Sequence, residues 1–127
     1  MVCLDSDIII DFLRNEKNAV RKIKELQEKD SELSTTSINS FELFKGALSS
    51  KQDSRDVLIG FLLNLKILGF NFEASEKAAE IFEELKNKGE SVDILDLMIA
   101  SIAIVNNQAL MTRNIKHFEK IPNLKLV

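Results

Sequence analysis

The chain has 127 residues, 45% of them hydrophobic and 29% charged, enough to bury a core without disulfides or a structural metal. Its net charge of −3 and pI near 5.2 exclude broad non-specific binding to polyanions, leaving room only for a local basic surface from Lys45, Lys51, Arg55, Arg113 and Lys116. Cys3 and His117 are the only cysteine and the only histidine, which excludes a disulfide framework, a thiolate zinc site and a paired-histidine hydrolase.

Hydrolytic chemistry at neutral pH therefore falls to carboxylates. No apolar run reaches the ~18 residues of a membrane span, and no basic stretch precedes an apolar one as in a signal peptide. The expected location is the cytoplasm. Cys3, inside an apolar run, is expected to pack as a small hydrophobe.

In chain order, Val2-Cys3-Leu4 reads as a short buried strand, followed by a helix from about Ser6 to Arg14. Lys17 to Lys29 carries Val20, Ile23 and Leu26 on one face and reads as an amphipathic helix. Leu33 to Thr36 is a second strand, after which Ser37 or Asn39 caps a helix running to about Leu48. Further helices are expected over Ser54–Leu65 and Ser75–Lys88, the latter stopped by Gly89, with a strand over Ile67–Phe72 between them. Asp93 to Asn107 is helical and apolar almost all round, so it should be deeply buried. Ala109–Thr112 and Leu124–Val127 read as closing strands.

Strands separated by helices imply an α/β fold: a single domain over residues 1–127, built as a three-layer α/β/α sandwich on a mostly parallel sheet of four to five strands. Ligands of such open sheets bind beyond the carboxyl ends of the strands, at a switch point in strand order. That rule selects Asp5, Thr112 and Asn114, each just after an expected strand.

Three acids stand out. Asp5 follows the first strand, where it or Ser6 can also simply cap the next helix. Glu42 lies beside a stripe of Ile38, Phe41, Phe44 and Leu48, open to a salt bridge with Lys45 as the alternative reading. Asp96 sits in Ile94-Leu95-Asp96-Leu97-Met98-Ile99-Ala100, a helix with hardly any polar face. Asp93, Asp96, Ala100 and Ala103 share one side of it, and the alanines let that side approach the sheet. An isolated ionised carboxylate there would cost several kcal/mol, so it must be paired, protonated or metal-bound. Capping of the helix by Asp93, with Asp96 at its third position, is the alternative. Oxygen-only ligands favour Mg²⁺ or Mn²⁺ over Zn²⁺ and suit phosphodiester hydrolysis.

These segments resemble a family. Val2-Cys3-Leu4-Asp5-Ser6-Asp7 is similar to the opening motif of PIN domains, and Phe41-Glu42-Leu43 with Gly46 to their second acidic position. Asp96-Leu97-Met98-Ile99-Ala100 resembles the third, and Leu110-Met111-Thr112-Arg113-Asn114 with His117-Phe118 and Ile121–Val127 resembles the closing segment. Chain length points to the VapC-type toxins of toxin–antitoxin pairs. The resemblance implies Mg²⁺-dependent cleavage of RNA, inhibition by a cognate antitoxin, and frequently a homodimer. Asp5, Glu42 and Asp96 carry over as metal-binding acids, with Ser6, Thr112 and Asn114 as supporting polar residues. Many relatives have an acid where this chain has His117, so the fourth position falls to His117 or Asp93. Two alternatives remain: a protein-binding module that kept the fold without catalysis, and a haloacid-dehalogenase-type phosphatase suggested by Asp5-Ser6-Asp7.

Overall fold

The computed structural model describes residues 1–29, 31–50 and 54–127. Lys51, expected to contribute to a basic surface, lies outside the described residues. Strand β1 (Val2–Leu4) leads into α1 (Ser6–Leu13) and α2 (Lys17–Glu28), then β2 (Leu33–Thr36), α3 (Ser37–Ser49) and α4 (Arg55–Leu62). Strand β3 (Lys66–Leu68) precedes α5 (Phe72–Asn87) and α6 (Ile94–Val105), and β4 (Ala109–Met111) precedes α7 (Ile115–Phe118).

All strand pairs are parallel, in the order β3-β2-β1-β4. The chain steps outward from β1 to β3 and then returns to the other side of β1. The crevice between β1 and β4 is thus the switch point, and Asp5 and Thr112 follow the two strands that flank it.

Alternation along the strands sorts the core into two layers. Val2, Leu4 and Met111 pack with Ile8, Ile9, Ile23, Leu43, Leu58 and Leu62 of α1–α4. Cys3 and Leu110 pack on the opposite face with residues of α5, α6 and α7, among them Ile81, Leu85, Ile99 and Phe118. Each fully buried Leu or Ile contributes roughly 1.5–3 kcal/mol, so both faces of the short sheet are covered by substantial burial. Cys3 is fully buried in the core, packing as a small hydrophobe as expected, and desolvation pushes its thiol up to about 12.

Several boundaries differ from the sequence reading, each for a local reason. Thr36, rather than Ser37 or Asn39, caps α3: its Oγ1 accepts the Asn39 N–H, and Asn39 completes the reciprocal capping box. The third strand stops at Leu68, because Asn71 caps α5 by accepting the Ala74 N–H, so that helix starts at Phe72 instead of Ser75. Phe72 is 86% exposed, so its apolar character did not mark a buried strand. Gly89, at φ 72°, ends α5 as expected: its N–H donates to Lys86 and that of Glu90 to Leu85, the paired bonds of a Schellman motif.

The expected closing strand shrinks to one parallel bridge between Leu110 and Leu126. A turn at Pro122 and Asn123, the latter at φ 67°, precedes it, and hydrogen bonds from the Leu110 N–H to Lys125 and from the Val127 N–H to Leu110 carry the bridge. The stripe expected on α3 holds only in part: Ile38 and Phe44 pack against the core, but Phe41 and Leu48 are 55% and 68% exposed, and Leu43, outside the stripe, is buried. The buried face of α3 carries Asn39 and Leu43, and the Asn39 side chain reaches Asp5 and Ser6 at the start of α1.

Candidate active site

Asp5 anchors the site. It ends β1 and caps α1, its Oδ1 accepting the Ser6 N–H at 2.8 Å, so the capping reading holds. Capping is only part of its environment. The same oxygen accepts the buried Asn39 Nδ2 at 2.9 Å, and Oδ2 accepts the Thr112 hydroxyl at 2.7 Å. Three donors from three segments hold one carboxylate that is 6% exposed, an arrangement that fixes its direction.

Ser6 links this acid to the next. Its hydroxyl donates to Glu42 Oε1 at 3.0 Å and accepts from Asn39 Nδ2 at 2.9 Å. Glu42 therefore turns toward β1 rather than toward Lys45, which lies over the Phe41 ring, 5.9 Å from its centroid. Desolvation raises the pKa of Glu42 above the usual carboxylate value; the Ser6 hydrogen bond opposes this, and the charges of Asp5, Asp96 and Asp93 add to it.

Asp96 comes from α6, which lies close to the sheet because Ala100 and Ala103 are fully buried. Asp93 caps this helix, its Oδ1 accepting the Asp96 N–H at 3.1 Å, and it is exposed. The capping role thus belongs to Asp93, and Asp96 keeps its carboxylate for the crevice. Burial raises its pKa, and the charges of Asp93 and Asp5 raise it further. His117 on α7 opposes that shift, its Nδ1 standing 3.4 Å from Asp96 Oδ2. Its imidazole is 65% exposed and α7 is anchored by the fully buried Phe118, so His117 is held at the rim.

Among the supporting residues, Thr112 donates its hydroxyl directly to Asp5. Asn114 acts through its backbone, its N–H donating to Thr112 Oγ1 at 3.0 Å, and its side chain makes no capping bond to α7. Arg113, expected on a basic surface, is taken up instead by Asp11 at 2.9 Å and by Asp7. Asn39, Asp7 and Asp11 were not singled out as site residues from sequence. The Thr36-Ser37-Ile38-Asn39 spacing directly after a strand is the signal that points to Asn39, and Asp7 and Asp11, four apart on α1, are the signal for a cation between them.

Among the described residues, no lysine or arginine forms an ion pair with Asp5, Glu42 or Asp96. Their shared charge, desolvated and mutually repelling, suits a hard divalent cation with oxygen ligands. The acids line the crevice without closing on one point: among the described residues, no three His, Cys, Asp or Glu groups form a ready-made metal cage.

Fold and site together define a three-layer α/β protein with clustered acids at the switch point of a parallel sheet. The comparison with known families is specific: the PIN domain model matches residues 2–124, and the chain belongs to the PIN-domain family. It is 34% identical over 125 residues to ribonuclease VapC2 of Rickettsia felis, covering 97% of this chain and 93% of that protein. It is 30% identical to the tRNA(fMet)-specific endonuclease VapC of Salmonella typhimurium, covering 97% of this chain and 93% of that one. The crystal structure of VapBC2 from Rickettsia felis, bound to a DNA fragment from its promoter, superposes with a TM-score of 0.89 at 31% identity, covering 100% of this chain and 98% of that one. The phosphatase alternative falls with this membership, and the structure agrees, since Asp7 is occupied by Arg113 rather than open as a general acid.

Proposed function

We propose that this chain is a metal-dependent endoribonuclease, the toxin of a toxin–antitoxin pair, acting in the cytoplasm where its RNA substrate is found. The observation that carries this reading is that Asp5, Glu42 and Asp96 line the crevice at the β1–β4 switch point with, among the described residues, no lysine or arginine paired to them. Similarity to VapC ribonucleases over nearly the whole chain supports it. Asp5, Glu42 and Asp96 are the acids that would hold a divalent cation, Mg²⁺ or Mn²⁺. Such an ion supplies ionised water near neutral pH and positive charge at the scissile phosphate.

The protein's own residues do the rest. Asn39, Ser6 and Thr112 tether Asp5 and keep it from rotating away. Ser6 ties Glu42 into the same network, so the two acids are oriented together. His117 stands at the rim beside Asp96, at the position proposed as the fourth of the set, where it orients that carboxylate; Asp93 adds charge from outside. With no second histidine to run a cyclising acid–base mechanism, water is the nucleophile, and the RNA 2′-hydroxyl is not needed. Cleavage should leave a 5′-phosphate and a 3′-hydroxyl. End-group analysis of cut RNA tests this, and 2′,3′-cyclic phosphate products would overturn it. Absence of metal-dependent cleavage across a panel of structured RNAs would favour the non-catalytic binding module instead.

The partner proposed for the crevice is a cognate antitoxin. Solved neighbours include VapBC complexes from Rickettsia felis and Salmonella typhimurium, both bound to DNA. A homodimer completes the proposal, consistent with large apolar side chains left on the surface, among them Leu63 at 80% and Phe72 at 86% exposure.

A further inference from the structure

Beside the acids of the crevice lies a second set of carboxylates, and it closes on the main chain. Asp7 and Asp11 lie one turn apart on α1, and both face Arg113, the residue after Thr112. Asp11 Oδ2 is 2.9 Å from Arg113 Nε. Asp7 Oδ2 accepts the Arg113 backbone N–H at 2.9 Å and stands 3.9 Å from Nε. Between this pair and Asp5 hangs the Thr112 hydroxyl, 2.7 Å from Asp5 Oδ2 and 3.4 Å from Asp7 Oδ2.

A hydroxyl has one proton to give. Both carboxylates are within its reach, and Asp7 Oδ2 already has a donor in Arg113. The Asn114 N–H donates to the same Thr112 oxygen at 3.0 Å, which fixes the rotor from the other side. Asp7 meanwhile keeps its Oδ1 buried with no partner among the described residues. Leaving a buried carboxylate oxygen unpaired works against folding, so stability alone does not account for an acid here.

We infer that Asp7 is a positioning residue: with Arg113 and Asp11 it clamps the turn after β4 so that Thr112 gives its proton to Asp5. The inference rests on the reading of Asp5 as a metal-holding acid. Asp7 touches neither substrate nor metal in this role. It acts through Thr112, as outer partners of metal-binding carboxylates do, and loss of such a partner typically costs about 10–100-fold in metal affinity or activity.

The test is Mn²⁺ affinity of the full chain, read from the electron paramagnetic resonance of free Mn²⁺, set beside thermal stability without metal. Asp7→Ala should weaken Mn²⁺ binding by about tenfold or more while its melting temperature holds or rises. Asp7→Asn keeps an acceptor for the Arg113 N–H and should recover most of the affinity. Thr112→Val should weaken binding comparably, and the double variant with Asp7→Ala should be no weaker than the worse single one, because both changes remove one contact. Affinity of Asp7→Ala within twofold of the parent, or additive losses in the double variant, would overturn the clamp. If Asp7→Ala does not fold, Arg113→Ala takes its place, since that side chain is 63% exposed; weakened binding that is non-additive with Thr112→Val supports the clamp, and unchanged binding overturns it. Asp5→Asn separates the two failures. Parent-like binding there removes the metal reading and the clamp with it, whereas lost binding there beside a parent-like Asp7→Ala removes the clamp alone.

Discussion

Burial, with the charges of Asp93 and Asp5, disfavours the ionised form of Asp96, and His117 only partly offsets this. The side chain is half-buried and its charge works against folding until something positive arrives. Asp96→Asn removes that charge and keeps the shape. The metal-free variant is expected to be as stable as the parent or more so. The sign follows from linkage: an acid whose native pKa is raised binds more protons folded than unfolded, so its unfavourable contribution is present above that native pKa and fades as pH falls through it. The advantage of Asp96→Asn over the parent should therefore shrink on acidification. Added Mn²⁺ should raise the melting temperature of the parent and much less that of the variant, and RNA cleavage should fall by orders of magnitude. Melts across pH, with and without Mn²⁺, check the first two; a destabilised variant whose activity tracks its folded fraction would mark Asp96 as structural.

At the scale of elements, the start of α3 is where folding and site meet. Asn39 Oδ1 receives the Thr36 hydroxyl at 2.7 Å within the capping box, while its Nδ2 reaches across to Asp5 and Ser6 on α1. One fully buried amide thus caps a helix and joins it to β1. Asn39→Ala leaves the Thr36 hydroxyl and Asp5 Oδ1 short of partners, for an expected loss of about 1–3 kcal/mol. Asn39→Asp is nearly the same size but turns a donor facing Asp5 into an acceptor. Its expected loss at neutral pH is larger, about 3 kcal/mol or more. Because the new acid's native pKa would be raised, that deficit should shrink as pH falls and it takes a proton. Urea titrations at two pH values decide this, and equal losses for both variants at neutral pH would contradict the donor geometry.

For the whole molecule, an acidic crevice on a chain of net charge −3 defines what a partner must bring. A basic antitoxin segment that places an Arg or Lys against Glu42 and Asp96 would compete with metal and with RNA phosphate for one place. Calorimetry with the co-expressed partner should show affinity falling when Asp5→Asn and Asp96→Asn are combined, and falling as Mn²⁺ is raised. Partner binding indifferent to both acids would rule out this mode of inhibition. Light scattering of the isolated chain should give twice 14.4 kDa if the homodimer forms.

Much of this was legible in the sequence, because the signals are local. Apolar runs and helical periodicity set the order of strands and helices, Gly89 marked the end of α5, and Asp5 and Thr112 were visible as polar residues directly after strands. Asp96 was conspicuous because a carboxylate in an apolar helix needs a reason. What the sequence could not convey is which distant side chains share a hydrogen bond. Asn39 meets Asp5 from 34 residues away, and Asp7 meets Arg113 from 106. The burial of Leu43 on α3, the exposure of Phe72 and the diversion of Arg113 from a basic surface into a clamp all depend on such meetings. Periodicity and capping act within a turn or two of the chain, so sequence alone determines elements and candidate acids. The donors that orient those acids come from separate strands and helices, and only the packed sheet brings them within reach.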